Sequence, residues 1–397
     1  MINILDKKDC CGCSACAQIC PKQCIKMSAD NEGFSYPAVD GTICIKCGLC
    51  EKVCPVINLG TSKLPLATYA AKNTNEDIRL NSSSGGIFTL LAEQIIADGG
   101  VVFGVKFDLD WNVVHDFTET IDGLEAFRGS KYVQSSIGDN FKIAKQFLSN
   151  GRKVLFSGTP CQIAGLKKYL QKEYDNLLTI EVVCHGVPSP KIWKEYLNFK
   201  YTKHIKCFYK DSTSSMETPQ ISGISFRDKS NGWKKYGVKF SFTDKHEITP
   251  FNEDLYMKGF LQNLYLRPSC YQCAARQGKS GADISIADYW GIQSIHPEFD
   301  DDKGAGLILI NSNKGVRYYE NIKSSTITIA SKYHEAIKYN PCINHSVRVP
   351  KERAIFFQQY NIHGIKYIGI LSQKTPTDNL KKIIKRILRK VKSLLRL

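Results

Sequence analysis

Cys10-Cys11-Gly12-Cys13-Ser14-Ala15-Cys16-Ala17-Gln18-Ile19-Cys20-Pro21 is answered further along the chain by Cys44-Ile45-Lys46-Cys47-Gly48-Leu49-Cys50-Glu51-Lys52-Val53-Cys54-Pro55. Both copies have the spacing Cys-x2-Cys-x2-Cys-x3-Cys-Pro. A cubane cluster needs four soft thiolates around one point. A tight Cys-x2-Cys-x2-Cys loop supplies three, and the fourth crosses over from the other half of the domain. The spacing therefore predicts two 4Fe-4S clusters, one on Cys10, Cys13, Cys16 and Cys54 and the other on Cys44, Cys47, Cys50 and Cys20. The proline after each fourth cysteine stops the short helix that delivers it. Cys11 and Cys24 fall outside the pattern and read as thiols beside the clusters or simply buried.

Ten of the sixteen cysteines lie in this stretch. Zinc favours Cys-x2-Cys pairs separated by a longer loop. A disulfide framework belongs to small secreted domains, and covalent haem attachment needs a His after Cys-x2-Cys. None of these fits the two quadruplets. At 397 residues, with 43% hydrophobic and 23% charged residues, the chain is an ordinary globular protein with room for further domains. Residues 1–8 lack the apolar segment of a signal peptide, and no run of about 18 apolar residues exists to span a membrane. The expected location is cytoplasmic. The net charge is +16, of which Asp378–Leu397 contribute +7. Outside that tail no basic stripe is interleaved with aromatics, so nucleic-acid binding is not expected.

Residues 1–60 form the two-cluster domain, and Thr61-Ser62-Lys63-Leu64-Pro65 reads as a linker. Asn81-Ser82-Ser83-Ser84-Gly85-Gly86 precedes an apolar-periodic helix beginning at Ile87. A Ser/Gly turn feeding a helix N-terminus is either an anion cradle or an ordinary cap. Val101–Asp108 reads as a strand with a partner starting at Val113. From 152 to 184 the pattern is β-α-β: strand Lys153–Phe156, a helix with Thr159 as N-cap and Pro160 at its first position, and strand Leu177–Val183. Such a unit makes its two strands parallel, with both loops leaving from carboxyl ends, where α/β sheets bind ligands. That arrangement brings Cys161 towards Cys184. Residues 204–245 read as antiparallel, followed by a short helix near 254–264 and a strand at Ala282–Gly291. Apart from the two quadruplets there is no internal repeat.

Cys161, Cys184 and the pair Cys270-x2-Cys273 make a plausible third four-thiolate site. A third 4Fe-4S cluster is the preferred reading. Zinc, unligated thiols, and a low-pKa nucleophile at Cys161 in the first turn of a helix are the alternatives. At the far end, Leu380, Ile383, Ile384, Ile387, Leu388, Val391, Leu394 and Leu395 share one helical face opposite eight Lys or Arg. This is the pattern of a basic amphipathic helix lying on an anionic membrane face, with docking on protein as the alternative.

Together, Ser83-Ser84-Gly85-Gly86, Gly129-Ser130-Lys131-Tyr132-Val133, Ser157-Gly158-Thr159-Pro160-Cys161-Gln162, Cys184-His185-Gly186, Cys270-x2-Cys273 and Ala282-Asp283-Ile284 with Asp288-Tyr289-Trp290-Gly291 resemble the beta subunits of hydrogenases and dehydrogenases that use the deazaflavin coenzyme F(420). The resemblance covers about residues 65–350. Chlorophyll-pathway reductases and bacterial members associated with surface-polysaccharide genes look related. The resemblance implies a mixed α/β (α+β) flavoprotein core, in an N-terminal part over 66–150 and a C-terminal part over 151–362; the basic helix at 377–397 departs from the hydrogenase subunits. It implies FAD, with FMN as the alternative. Ser83, Ser84, Gly85, Gly86, Gly158, Thr159 and Gln162 would hold the flavin, and Cys161, Cys184, Cys270 and Cys273 the nearby cluster. Lys131 and His185 would face the flavin or substrate. The implied activity is an oxidoreductase that takes electrons from a ferredoxin-like donor, or a deazaflavin or nicotinamide one, and reduces an organic substrate. A lipid-linked glycan intermediate at the membrane fits the basic helix. The rivals are a deazaflavin-oxidising input subunit of a larger complex and an electron-transfer adaptor without substrate chemistry.

Overall fold

The computed structural model describes residues 1–211 and 218–372. The helix expected at 377–397 lies outside the described residues. The N-terminal unit consists of α1 (Ala15–Ile19), β1 (Ile25–Ala29), β2 (Ser35–Val39) and α2 (Leu49–Lys52). Each of its helices starts from a left-handed residue, Ser14 at φ 62° and Gly48 at φ 77°. Such a residue turns the chain sharply, so the cysteines of the loop and those of the first helical turn can face one space. β1 and β2 pair as an antiparallel hairpin.

The second part is built on one sheet. Its elements are β3 (Ala67–Asn73), α3 (Glu76–Asn81), α4 (Ile87–Ala97), β4 (Val101–Phe107), β5 (Val113–Thr118), α5 (Asn140–Ser149), β6 (Val154–Gly158), α6 (Pro160–Leu170) and β7 (Leu177–Val182). An excursion follows through α7 (Pro190–Asp211), β8 (Ile221–Asp228), β9 (Gly237–Phe242), β10 (His246–Pro250) and α8 (Leu255–Leu261). The chain then returns with β11 (Ile284–Asp288), α9 (Ile292–Ile295), β12 (Gly306–Ile310), α10 (Asn313–Ile322), β13 (Thr326–Ala330) and α11 (Tyr333–Ala336), and closes with α12 (Arg353–His363) and α13 (Lys366–Ser372). The sheet order is β13-β3-β12-β11-β7-β6-β4-β5. β4, β6, β7 and β11 are mutually parallel, and β3 shares their direction because β12 runs antiparallel to both β11 and β3. Their carboxyl ends therefore form one edge.

Strands buried on both faces explain the near-continuous apolar runs such as Val154-Leu155-Phe156. Leu91 and Ile95 of α4 and Tyr319 of α10 cover one face; Phe141 of α5 and Ile163 and Leu166 of α6 cover the other. The excursion and the last two helices build a separate aromatic core around Trp193, Tyr196, Phe226, Tyr256, Tyr265 and Phe356. The antiparallel reading of 204–245 needs correction at its start: residues up to Asp211 belong to α7, and the meander begins at Ile221. A single long helix pattern overrode short β-favouring residues there. The expected linker is tied down. Lys63 N donates to Gln277 O at 3.1 Å and Leu66 N to Ile310 O at 2.6 Å.

Candidate functional site

Cys20, Cys44, Cys47 and Cys50 line one cavity of the N-terminal unit, with Pro21, Lys22, Ile45 and Lys46, and form an outer set. Cys10, Cys13, Cys16 and Cys54, all buried, line a second cavity with Ile2, Met27 and Pro37, and form an inner set. Cys24 borders the outer set, its Sγ 3.3 Å from that of Cys20. Backbone amides point at the sulfurs: Ile2 N donates to Cys50 Sγ at 3.3 Å. Among the described residues no three Cys, His, Asp or Glu side chains converge tightly enough for a single metal ion. A cubane instead holds its thiolates around a cluster of several atoms.

A third thiol set forms at the carboxyl edge of the sheet. Cys161 lies in the first turn of α6, beyond β6, and Cys184 follows β7. Cys270 and Cys273 lie on and just after a tight turn, Pro268–Gln272, that follows α8. The four act on one another electrostatically. Burial pushes the Cys270 thiol up to about 12, and burial, with Cys270 beside it, pushes Cys184 well up. Burial likewise raises Cys16 to about 12 in the inner set. Buried thiols packed together resist ionising unless a metal compensates the charge, so the donor chemistry fits iron–sulfur ligation. Val187 N donates to Cys270 Sγ at 3.4 Å. Contact with the Cys11 thiol and burial push the Cys161 thiol well above its ordinary range. Cys11 is the unexpected member: its thiol acts on those of both Cys13 and Cys161, and so stands between the inner and third sets.

His185 adjoins the third set. Its Nε2 lies 2.6 Å from Asn263 Oδ1, its Nδ1 3.7 Å from Cys342 Sγ, and burial lowers its pKa. Thr159 and Gln162 form a capping box on α6, and Gln162 Nε2 also donates to Ser135 Oγ at 2.9 Å. Both side chains thus hold the helix that carries Cys161. The Ser/Gly turn lies elsewhere on the same edge, at the end of β3. Ser83 Oγ accepts from Ser130 N at 2.7 Å, and Ser84 Oγ donates to Ala305 O at 2.6 Å. A Cβ on Gly85 would meet Ala71 O at 2.3 Å and Gly306 N at 2.7 Å, so only glycine lets this turn lie against the sheet. From Ser130 the chain crosses the edge as a strap to Ser136, which pairs with Val114. The Lys131 ammonium donates to Ala126 O and Arg128 O, and desolvation lowers its pKa to about 7. β3 and β6 are four strand steps apart, about 19 Å at ~4.8 Å each. The two motifs share the edge, not a point.

Residues that sequence inspection missed occupy the space between. Arg227 pairs with Asp288 at 2.6 Å, donates to Tyr132 OH at 3.1 Å and lies over the Trp290 ring. Trp233 stacks on Trp290 at 4.8 Å. Lys229 Nζ donates to Arg79 O, Ser84 O and Lys303 O, and burial lowers its pKa to about 7. Arg267 lies between the inner and third sets. These residues meet only through the tertiary fold, and no local spacing marks them.

The two cysteine quadruplets of the N-terminal unit, seated on a mixed α/β part, define an iron–sulfur electron-transfer protein. Residues 9–58 match the 4Fe-4S dicluster domain, and residues 151–335 match the family formed by the C terminus of the coenzyme F420 hydrogenase/dehydrogenase beta chain. The protein thus combines an N-terminal 4Fe-4S dicluster domain with a region that matches that C-terminal family. It is 26% identical over 207 residues to a coenzyme F420-dependent sulfite reductase of Methanocaldococcus jannaschii, covering 49% of this chain and 30% of that protein. It is 42% identical over 43 residues to a 7Fe ferredoxin of Hydrogenibacillus schlegelii, 11% of this chain and 49% of that one. The matches span less than half the length of both relatives. A chain of the F420-reducing nickel–iron hydrogenase complex from Methanosarcina barkeri superposes with a TM-score of 0.44 at 14% identity, covering 76% of this chain and 93% of that one.

Proposed function

We propose that the protein takes single electrons at the outer set, passes them through the inner set to the third, and delivers them to a flavin held at the carboxyl edge for reduction of an organic substrate. The observation that carries this reading is that Cys11 lines the inner cavity and its thiol also acts on that of Cys161 in the third set. Cubanes carry one electron at a time, whereas a bound flavin stores two and transfers hydride, joining one-electron supply to two-electron chemistry.

At the outer set, Cys47, Lys22 and Lys46 are exposed, as are Ile43 (50%) and Ile45 (57%), and no carboxylate lines the cavity. Such a surface suits an acidic one-electron carrier such as a ferredoxin. At the carboxyl edge, the N-terminus of α4 with Lys131, Arg227 and Lys229 would hold the anionic part of FAD or FMN. The stacked Trp233 and Trp290 would shield it. Lys131, whose pKa burial lowers to about 7, would hold or release a proton near neutral pH, and His185, shifted towards its neutral form by burial, would face the flavin or substrate. Ser83, Ser84, Thr159 and Gln162 would act mainly by fixing the backbone, since their side chains bond within the protein.

The family match favours a second reading, in which a deazaflavin coenzyme is oxidised at this edge and electrons leave through the outer set to a partner complex. The glycan reading rests on 377–397, outside the described residues. Among the described residues no helix is long and apolar enough to cross a membrane. Anaerobic purification with iron, acid-labile sulfide and released flavin assayed per chain tests the proposal. About twelve irons and one flavin are expected. About eight irons would remove the third cluster, and no flavin after reconstitution would leave an electron-transfer adaptor.

A further inference from the structure

Arg267 is 1% exposed, and among the described residues no carboxylate forms an ion pair with it. A guanidinium buried without a counter-charge is costly, so an anion must stand near it. Its own contacts say where. Nε donates to Cys10 O at 2.7 Å, Nη1 to Gln134 Oε1 at 3.0 Å, and Nη2 to Ser35 O at 2.9 Å and to Cys10 Sγ at 3.5 Å. The guanidinium lies 4.3 Å from the Tyr36 ring centre, which fixes its plane. Its approach is built into the cysteine loop. Gly12 has φ +72°, and a Cβ there would meet Arg267 Nη1 at 2.7 Å. On the other side, Arg267 N donates to Val187 O and Cys270 N to Arg267 O. The positive charge acts on Cys161 and Cys270 as well, favouring their thiolates.

We propose that Arg267 is the built-in counter-charge of the inner cluster and sets the potential at which one electron passes from that cluster to the third site. The inference rests on the iron–sulfur reading of both thiol sets. A reduced cluster carries one more negative charge than an oxidised one, so a fixed cation hydrogen-bonded to a ligating sulfur stabilises the reduced form and raises the potential. Arg267 is a positioning residue, because it acts through the cluster and exchanges no electron itself. The same side chain joins the N-terminal unit, the strap and the turn before Cys270, so the charge is held in register with both sites.

The test is an EPR-monitored redox titration of the iron-loaded full chain, with iron and sulfide assayed on every sample. Arg267→Gln is expected to keep its iron, lower the inner-cluster reduced-to-oxidised ratio at fixed potential at least tenfold, equivalent to about 59 mV for one electron, and leave the outer cluster unchanged. Arg267→Lys keeps the charge without the planar fork and is expected to shift the inner cluster in the same direction by less. An iron-loaded Arg267→Gln with the wild-type inner potential overturns the proposal and leaves the iron–sulfur reading standing. If the Gln variant does not assemble the inner cluster, Arg267→Lys decides, and an inner potential equal to or above wild type overturns it. Wild-type protein without iron and sulfide after reconstitution removes the underlying reading itself.

Discussion

Gly165 sits inside α6, where glycine costs about 1 kcal/mol against alanine. A Cβ at this position would lie 2.8 Å from Cys13 Cβ and 2.9 Å from Cys13 Sγ. The glycine lets the inner set settle on the helix that carries Cys161. Gly165→Ala should therefore keep the helical content by circular dichroism while losing inner-set iron, up to about four per chain. Unchanged iron would mean that the N-terminal unit shifts to accommodate it. Lys131 is the second residue whose chemistry follows from where it is buried. Its folded pKa is lowered from 10.5 to about 7 by desolvation, so between these values the unfolded chain binds more protons than the folded one. Stability should then rise with pH from about 7 to about 10. Lys131→Met should flatten that rise, as measured by denaturant unfolding at several pH values under anaerobic conditions.

Among the elements, α6 and α5 contrast in how their first turns are satisfied. The α6 capping box is local: Thr159 N donates to Gln162 Oε1 at 2.9 Å, and Pro160 stands at the first helical position. Thr159→Ala should cost about 1 kcal/mol, seen as a lower unfolding midpoint. Thr159 Oγ1 also lies 3.3 Å from Cys161 Sγ, so under the proposed third cluster the same variant should change that cluster's spectrum. A loss of stability with an unaltered spectrum would confine Thr159 to capping. For α5 the partner is remote: Gln18 Oε1, from the N-terminal unit, accepts from Phe141 N at 3.0 Å and Lys142 N at 3.2 Å. The first cap is legible in four consecutive residues, and the second is not, because a residue 123 positions away supplies it. The course of α7 over 204–211 escapes sequence inspection for a related reason. There the buried His204 stacks on Phe242 of β9 and hydrogen-bonds with Asp244 and Glu247, the last two 40 and 43 positions away.

For the whole molecule, the N-terminal unit is docked rather than tethered. Arg353 Nη1 pairs with Glu32 Oε1 at 3.0 Å, and Lys191 crowds Gly33 at the tip of the β1–β2 hairpin. Arg353→Ala leaves the partly buried Glu32 carboxylate unpaired, a loss of about 1–3 kcal/mol. Hydrogen exchange should then quicken across residues 25–39 while iron content stays unchanged; equal exchange would place the docking energy elsewhere, at Arg267 and Gln18. Cysteine spacing alone determined the dicluster domain, because cluster ligation constrains residues only a few positions apart. The β-α-β run from 152 to 184, its parallel strands and the helix start at Thr159-Pro160 were likewise legible, since apolar periodicity and capping are local. The tertiary structure alone decided that Cys11 stands between two thiol sets, that the Ser83–Gly86 turn and the third set share an edge about four strands apart, and that Arg267 faces Cys10. The physical reason is that each of these depends on the sheet order and on the seat of the N-terminal unit. Both are set by burying apolar faces of segments hundreds of residues apart, a sum over the whole chain that no single stretch contains.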